Sequence, residues 1–266
     1  MPLWKWALVL VFGSIAFLTL YGMAQIPFFA NGNAWILSAI LMLAGLSLLG
    51  LFRCYTRIVE KDWSSLVPFD GKSKDVLSGL GVGVVYFLAI VLVMWVTGLY
   101  KVESFGFDGQ SALLSFALFF VVAVGEEIVF RGIIFRMIDM RWGTWVALIV
   151  SALIFGFVHI TNDGATVWSS VAIAVEAGLM LGLAFKLTDS LWFPIGIHWA
   201  WNYMEGPVLG FAVSGADFGD SMVNPVISGP DFLTGGAFGA EASIFAAALG
   251  IVVCLLFLRH SASSAA

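Results

Sequence analysis

Eight stretches of this chain are each apolar over nearly the length needed to cross a bilayer, and that repetition limits the fold more than any single motif does. A helix rises 1.5 Å per residue, so about 20 apolar residues cover roughly 30 Å of hydrocarbon. The stretches run over 4–24, 33–52, 76–99, 111–138, 143–159, 166–186, 190–205 and 242–258. Lipid offers no hydrogen-bonding partners, and a helix satisfies its backbone polar groups within one segment. The expected fold is therefore all-α, a polytopic transmembrane helix bundle of about eight spans, forming a single membrane domain over 1–266. Hydrophobic residues make up 61% of the chain and charged residues 11%. A soluble domain carries about 25% charge. The net charge of −5 is small and scattered, which argues against a nucleic-acid partner and leaves the lipid bilayer as the expected surroundings. Lys5 and the Gly22-Met23-Ala24 triplet fit a cleaved signal peptide weakly, but the first stretch is long for a signal core and a second span follows at once.

Loop charges set an expected orientation. Lys5, Arg53, Arg57, Lys61, Lys72, Lys74, Arg136, Arg141, Lys186 and Arg259 fall on one side of an eight-span bundle, Lys101 falls on the other, and Arg131 lies within a span. Basic residues concentrate on the cytoplasmic side, so both termini are expected there. Gly206 to Ala240 is then a Gly-rich extracytoplasmic loop, a lid or re-entrant element. It carries Pro207, Pro225, Pro230, Asp217, Asp220 and Asp231 and no basic residue. The tail from Ser261 to Ala266 is expected to be disordered. Cys54, read as lying in a polar loop, and Cys254 show no CxxC or secreted-type spacing, which fits two reduced structural thiols. The compact build suits a bacterial inner membrane.

Ionisable groups inside spans cost on the order of 2.5 to 3.5 kcal/mol each at a helix centre and usually mark function. Here they cluster in the fourth to seventh stretches. Glu127 and Arg131 are four residues apart, acid first, the better order for an ion pair on one helical face. Glu126 is turned about 100° from Glu127 and has no local partner. His159 ends the fifth stretch, and His198 and Asn202 form a polar stripe on the seventh. Depths counted along the helices overlap, so these groups are able to share one cavity.

A buried carboxylate and an imidazole suit the task of holding a water and taking its proton. A second imidazole and an amide suit an oxyanion that forms when water attacks a carbonyl. No Gly-x-Ser-x-Gly elbow and no His-Glu-x-x-His zinc helix is present. Glu126, His159 and His198 from three helices are the residues for a divalent metal such as zinc, if one is used.

Three motifs carry a family resemblance: Glu126-Glu127-x-x-x-Arg131, Phe155-x-x-x-His159 and His198-x-x-x-Asn202. In order, each in its own span, they resemble the CAAX prenyl protease and bacteriocin-processing (CPBP, or Abi) family of intramembrane endopeptidases. The approach to the last motif, from Leu191-Trp192-Phe193-Pro194 to His198, matches in style. The resemblance covers about 120–205, which it marks as the catalytic core. It implies that Glu126 and His159 activate the water, that His198 and Asn202 stabilise the oxyanion, and that Glu127 and Arg131 are a supporting ion pair. It also implies a peptide or membrane-protein substrate. A metal-free, glutamate-dependent route is preferred here over a metalloprotease. Glu176 and Glu205 lie outside the pattern and are candidates to line or tune the cavity. The alternative is a non-catalytic membrane immunity or scaffold protein on the same fold; a proton-relaying transporter fits less well, because no inverted repeat is visible.

Overall fold

The computed structural model describes residues 3–60, 73–219 and 221–264. Lys61, Lys72, Asp220, Ala265 and Ala266, named above, lie outside the described residues.

The fold is an all-α bundle. Its helices are α1 (Leu3–Ala24), α2 (Ala34–Glu60), α3 (Ser73–Val96), α4 (Gly109–Trp142), α5 (Thr144–Val158), α6 (Val167–Thr188), α7 (Trp192–Tyr203) and α8 (Ile244–Ser264). Seven helices among the described residues, all but α7, belong to segments long and apolar enough to cross a membrane. The protein is therefore an integral membrane protein. Large apolar side chains such as Phe12, Ile36, Leu43, Leu92 and Leu255 stand exposed. In water such surface is a liability, whereas against lipid tails it is the expected face. Trp4, Trp35, Trp95, Trp142 and Trp145 are exposed near helix ends, where indoles anchor at the interface.

The seventh apolar stretch is the exception. It forms a 12-residue α-helix prolonged by a wide π turn over Met204–Val208, and every residue from Phe193 to Asn202 is buried. It can be short because it meets protein rather than lipid. Gly79, Gly83 and Gly196 let its backbone press against α3: a methyl added at Gly79 would lie 2.3 Å from the Phe193 carbonyl, and one at Gly196 would lie 2.5 Å from that of Val76. Gly83 meets Ile197 and Ala200 one turn further on, so α3 and α7 run parallel. Small residues drive such contacts in lipid, where no hydrophobic force separates helix from solvent.

Local signals explain several boundaries. Asp108 caps α4, accepting from the N–H groups of Gln110 and Ser111. The Ser111 hydroxyl, and after it those two N–H groups, hold the exposed Asp108 carboxyl below the usual carboxylate range. Thr166 and Ser169 cap α6 reciprocally. Gly143, at φ +85°, separates α4 from α5 in a conformation that other residues rarely adopt.

Three expectations change in detail. The tail expected to be disordered from Ser261 continues α8 as helix through Ser264. The second apolar stretch continues as helix through Glu60, so Cys54 lies on α2 rather than in a loop; both cysteines are free. The segment from Gly206 to Ala240 is more ordered than its composition suggests. Its strand β2 (Val223–Ile227) pairs antiparallel with β1 (Tyr100–Phe105), which follows α3, with an irregularity between Val102 and Ser104. Tyr100 is buried and donates to the Leu209 carbonyl at 2.9 Å, and burial pushes its phenol up to about 12.

Candidate active site

Glu126 and Glu127 stand where α4 passes from α-helical to π-helical winding, the wide stretch covering Ile128–Phe135. Such stretches often occur at functional sites because they re-aim side chains. Glu127 Oε1 receives Arg131 Nη1 at 2.8 Å, and both side chains are inaccessible. Arg131 Nη2 also donates to the Ala177 carbonyl at 2.8 Å and the Gly178 carbonyl at 3.3 Å, in a second π stretch within α6. Its guanidinium lies 4.6 Å from the centre of the Phe155 ring. The pair thus ties α4 to α6 and to the aromatic residue of the second motif.

Glu127 has a further contact that spacing does not reveal. Its Oε1 lies 2.9 Å from His198 Nδ1 on α7. A carboxylate bonded to Arg131 is an acceptor, so it fixes Nδ1 as the protonated nitrogen. His198 Nε2 then points toward Glu126, whose Oε2 is 3.9 Å away. The other oxygen of Glu126 accepts the Tyr21 hydroxyl, from α1, at 3.0 Å. Tyr21 fits there because residue 125 is glycine; a methyl at that position would come 2.2 Å from the tyrosine ring.

His159 closes α5. Its Nδ1 lies 2.7 Å from the Phe155 carbonyl, which only accepts, so Nδ1 carries the proton and Nε2 of the neutral ring has a free lone pair. Glu126, His159, His198 and Asn202 all line one cavity of about 250 Å³, with Tyr21, Phe155 and Trp201 among its walls. The fold therefore brings together the four side chains that the motifs single out. The cavity lies beneath the Gly206–Ala240 segment, which contributes Val213, Ser214, Ala216 and Phe218 to its lining.

Glu176 and Glu205 are placed differently. Neither lines the cavity. Glu176 accepts the Tyr86 hydroxyl at 3.1 Å, while Glu205 accepts Trp201 Nε1 at 3.1 Å and the backbone N–H of Glu241 at 3.1 Å. Tyr21 and Glu241 are among the lining residues that sequence reasoning did not single out. Glu241 is buried and accepts the Ser214 hydroxyl at 2.7 Å. Burial raises its carboxyl above the usual range, against the opposing effect of Ser214 and the nearby His159. The available signal was slight: an acid just ahead of the last apolar stretch, and a tyrosine inside the first.

Among the described residues no group of three or more His, Cys, Asp or Glu side chains is arranged to hold a metal ion. Glu126, His159 and His198 share a cavity, but Glu126 is engaged by Tyr21 on one oxygen and faced by His198 at 3.9 Å on the other.

Fold and site together define a polytopic α-helical membrane protein with a cavity of about 250 Å³ between its helices, into which carboxyl, imidazole and amide groups project. Residues 108–204 match the family model described as Rce1-like, type II CAAX prenyl endopeptidase Rce1-like. All three motifs fall within that stretch, so the similarity includes every candidate site residue that they name. Searches of curated proteins and of solved structures gave no match.

Proposed function

We propose that this protein is an intramembrane endopeptidase that hydrolyses a peptide bond with a water activated by Glu126 and His159, without a metal. The observation that carries this reading is the convergence of Glu126, His159, His198 and Asn202 on one cavity. In this scheme water attacks the carbonyl carbon while its proton passes to Glu126 or to the free Nε2 of His159. The oxyanion is met by the Asn202 amide and by His198 Nε2–H. Because Glu127 holds a proton on Nδ1 of His198, Nε2 donates only when the ring is an imidazolium, and that is the form the oxyanion step uses. The C–N bond then breaks, and the proton taken from water is delivered to the leaving amine. Glu127 and Arg131 position His198 and hold α4 against α6.

Orientation follows from charge. Of the described basic residues, Lys5, Arg53, Arg57, Lys74, Arg136, Arg141, Lys186 and Arg259 lie at the helix ends away from the cavity. Both termini are then cytoplasmic, and the cavity opens toward the extracytoplasmic side of a bacterial inner membrane.

The test is cleavage of a fluorogenic peptide library by the purified protein, beside Glu126→Gln, with and without a chelator. Cleavage that survives chelation and disappears in Glu126→Gln supports the scheme. Loss on chelation with rescue by zinc would replace it with a metal mechanism, and cleavage unaffected by Glu126→Gln would remove Glu126 as the base. Absence of cleavage across the library would favour the scaffold or immunity reading.

A further inference from the structure

The cavity and its rim present acidic side chains and no lysine or arginine among the described residues. Glu126 and Glu241 face the interior, and no lysine or arginine lines it among the described residues. Arg131, behind it, is only 1% exposed and is held by Glu127 and the Ala177 carbonyl. Acids continue outward. Asp163 is exposed beside the lining residue Asn162, and Asp217 is exposed between the lining residues Ala216 and Phe218. These two rims meet, since a methyl at Gly215 would strike the Asp163 carbonyl, and Asn162 Nδ2 donates to the Ser214 carbonyl at 2.9 Å. Further out on this side Glu103, Asp108 and Asp231 are also exposed, against one basic residue, Lys101, among the described residues.

A narrow site walled by apolar helices focuses such a field and selects ligands by sign, on rates by ten- to a thousandfold. A free carboxyl terminus placed in the cavity would meet Glu126 and find no lysine or arginine to pair with, and like-charge contacts of this kind are unfavourable. We infer that, as a peptidase site, this cavity takes internal segments flanked by basic residues and excludes scissile bonds next to a free carboxyl terminus or acidic side chains. The inference rests on the peptidase reading, and it differs from what the name CAAX prenyl endopeptidase suggests, a cut close to a chain end. The acidic rim is the part that reads charge, whereas Glu126 does chemistry.

The experiment uses one internally quenched peptide scaffold in four versions. Lysine, glutamine or glutamate flanks the central bond in three, and the fourth places that bond three residues from a free carboxylate. In uncharged detergent, binding to Glu126→Gln and turnover by the wild type are both measured at low and high salt. The expected order of binding is lysine, glutamine, glutamate, with lysine at least about tenfold over glutamate at low salt and the gap narrowing as salt rises. The carboxyl-terminal version should bind at least as weakly as the glutamate version. Asp163→Asn/Asp217→Asn should shrink the lysine preference while leaving the glutamine peptide unchanged. Equal binding of the lysine and glutamate versions, or tighter binding of the carboxyl-terminal one, overturns the inference. Ordered binding with no turnover of any version overturns the peptidase reading and leaves the charge selectivity standing.

Discussion

The position of the Glu126 carboxylate depends on a residue 105 positions earlier, Tyr21, whose hydroxyl donates to it at 3.0 Å. Hydrogen bonds to charged groups contribute about 1.5 to 3 kcal/mol, so Tyr21→Phe should lower kcat/KM by about 10-fold or more while the protein stays folded. Steady-state kinetics beside a thermal unfolding curve would check this; an unchanged kcat/KM would remove Tyr21 from the site. Arg131 presents a different case. Arg131→Met leaves Glu127 buried with no cation beside it, and breaking a buried pair in this way costs about 3 to 5 kcal/mol. A large fall in Tm is expected, read by tryptophan fluorescence in detergent. Glu127→Gln/Arg131→Met, which removes both charges, should recover much of that loss. The ion pair was legible in the sequence because both partners sit on one helix four residues apart. Tyr21 and Glu241 were not, because nothing local in the chain says which distant helix end will face them. His198 shows the intermediate case. Its stripe with Asn202 follows from helical spacing, but its bond to Glu127 depends on how α4 and α7 are set against each other.

Helices were easier to foresee than their windings or lengths. Apolar runs bounded by polar residues mark where a chain enters lipid, and the described helices follow them closely. The π stretches at Ile128–Phe135 and Ala174–Leu179 leave no mark in hydropathy, although they contain Arg131 and the carbonyls that receive it. The β1–β2 pairing was equally hidden, since Tyr100–Phe105 and Val223–Ile227 are short and each is stable only through the other. The shortness of α7 has a physical reason visible only in packing: it is sheathed by protein, and its contact with α3 is made by glycine backbones. Gly196→Leu should therefore separate α3 from α7. Overpacking of this kind costs about 1 to 3 kcal/mol, and it should also displace His198, two residues along the same helix. The expected outcome is a lower Tm together with activity reduced further than Gly22→Leu reduces it, because nothing lies within 4 Å of a methyl added at Gly22. Equal effects of the two substitutions would mean that the glycine contact does not set the helix spacing.

Sidedness links the charge pattern to the chemistry. Helix ends alternate between two faces, and the cavity lies on the face where α1, α3, α5 and α7 end and where α4, α6 and α8 begin. That face exposes acids and one lysine among the described residues, while eight of the described basic residues lie at the other. Positive charge resists transfer across the membrane during insertion, so the arrangement predicts that the cavity meets the extracytoplasmic side. The prediction does not depend on whether the site is catalytic. It can be checked on intact cells with a thiol reagent that does not cross the membrane, after replacing Cys54 and Cys254. A cysteine at Asp217 should label in intact cells, whereas one at Arg141 should label only after permeabilisation. The reverse pattern would place the cavity toward the cytoplasm, and a peptidase site there would draw on segments that never leave the cell. The pattern predicted here restricts candidate substrates to chain segments that reach the outer face of the bilayer, which is also where an acidic rim would meet them first.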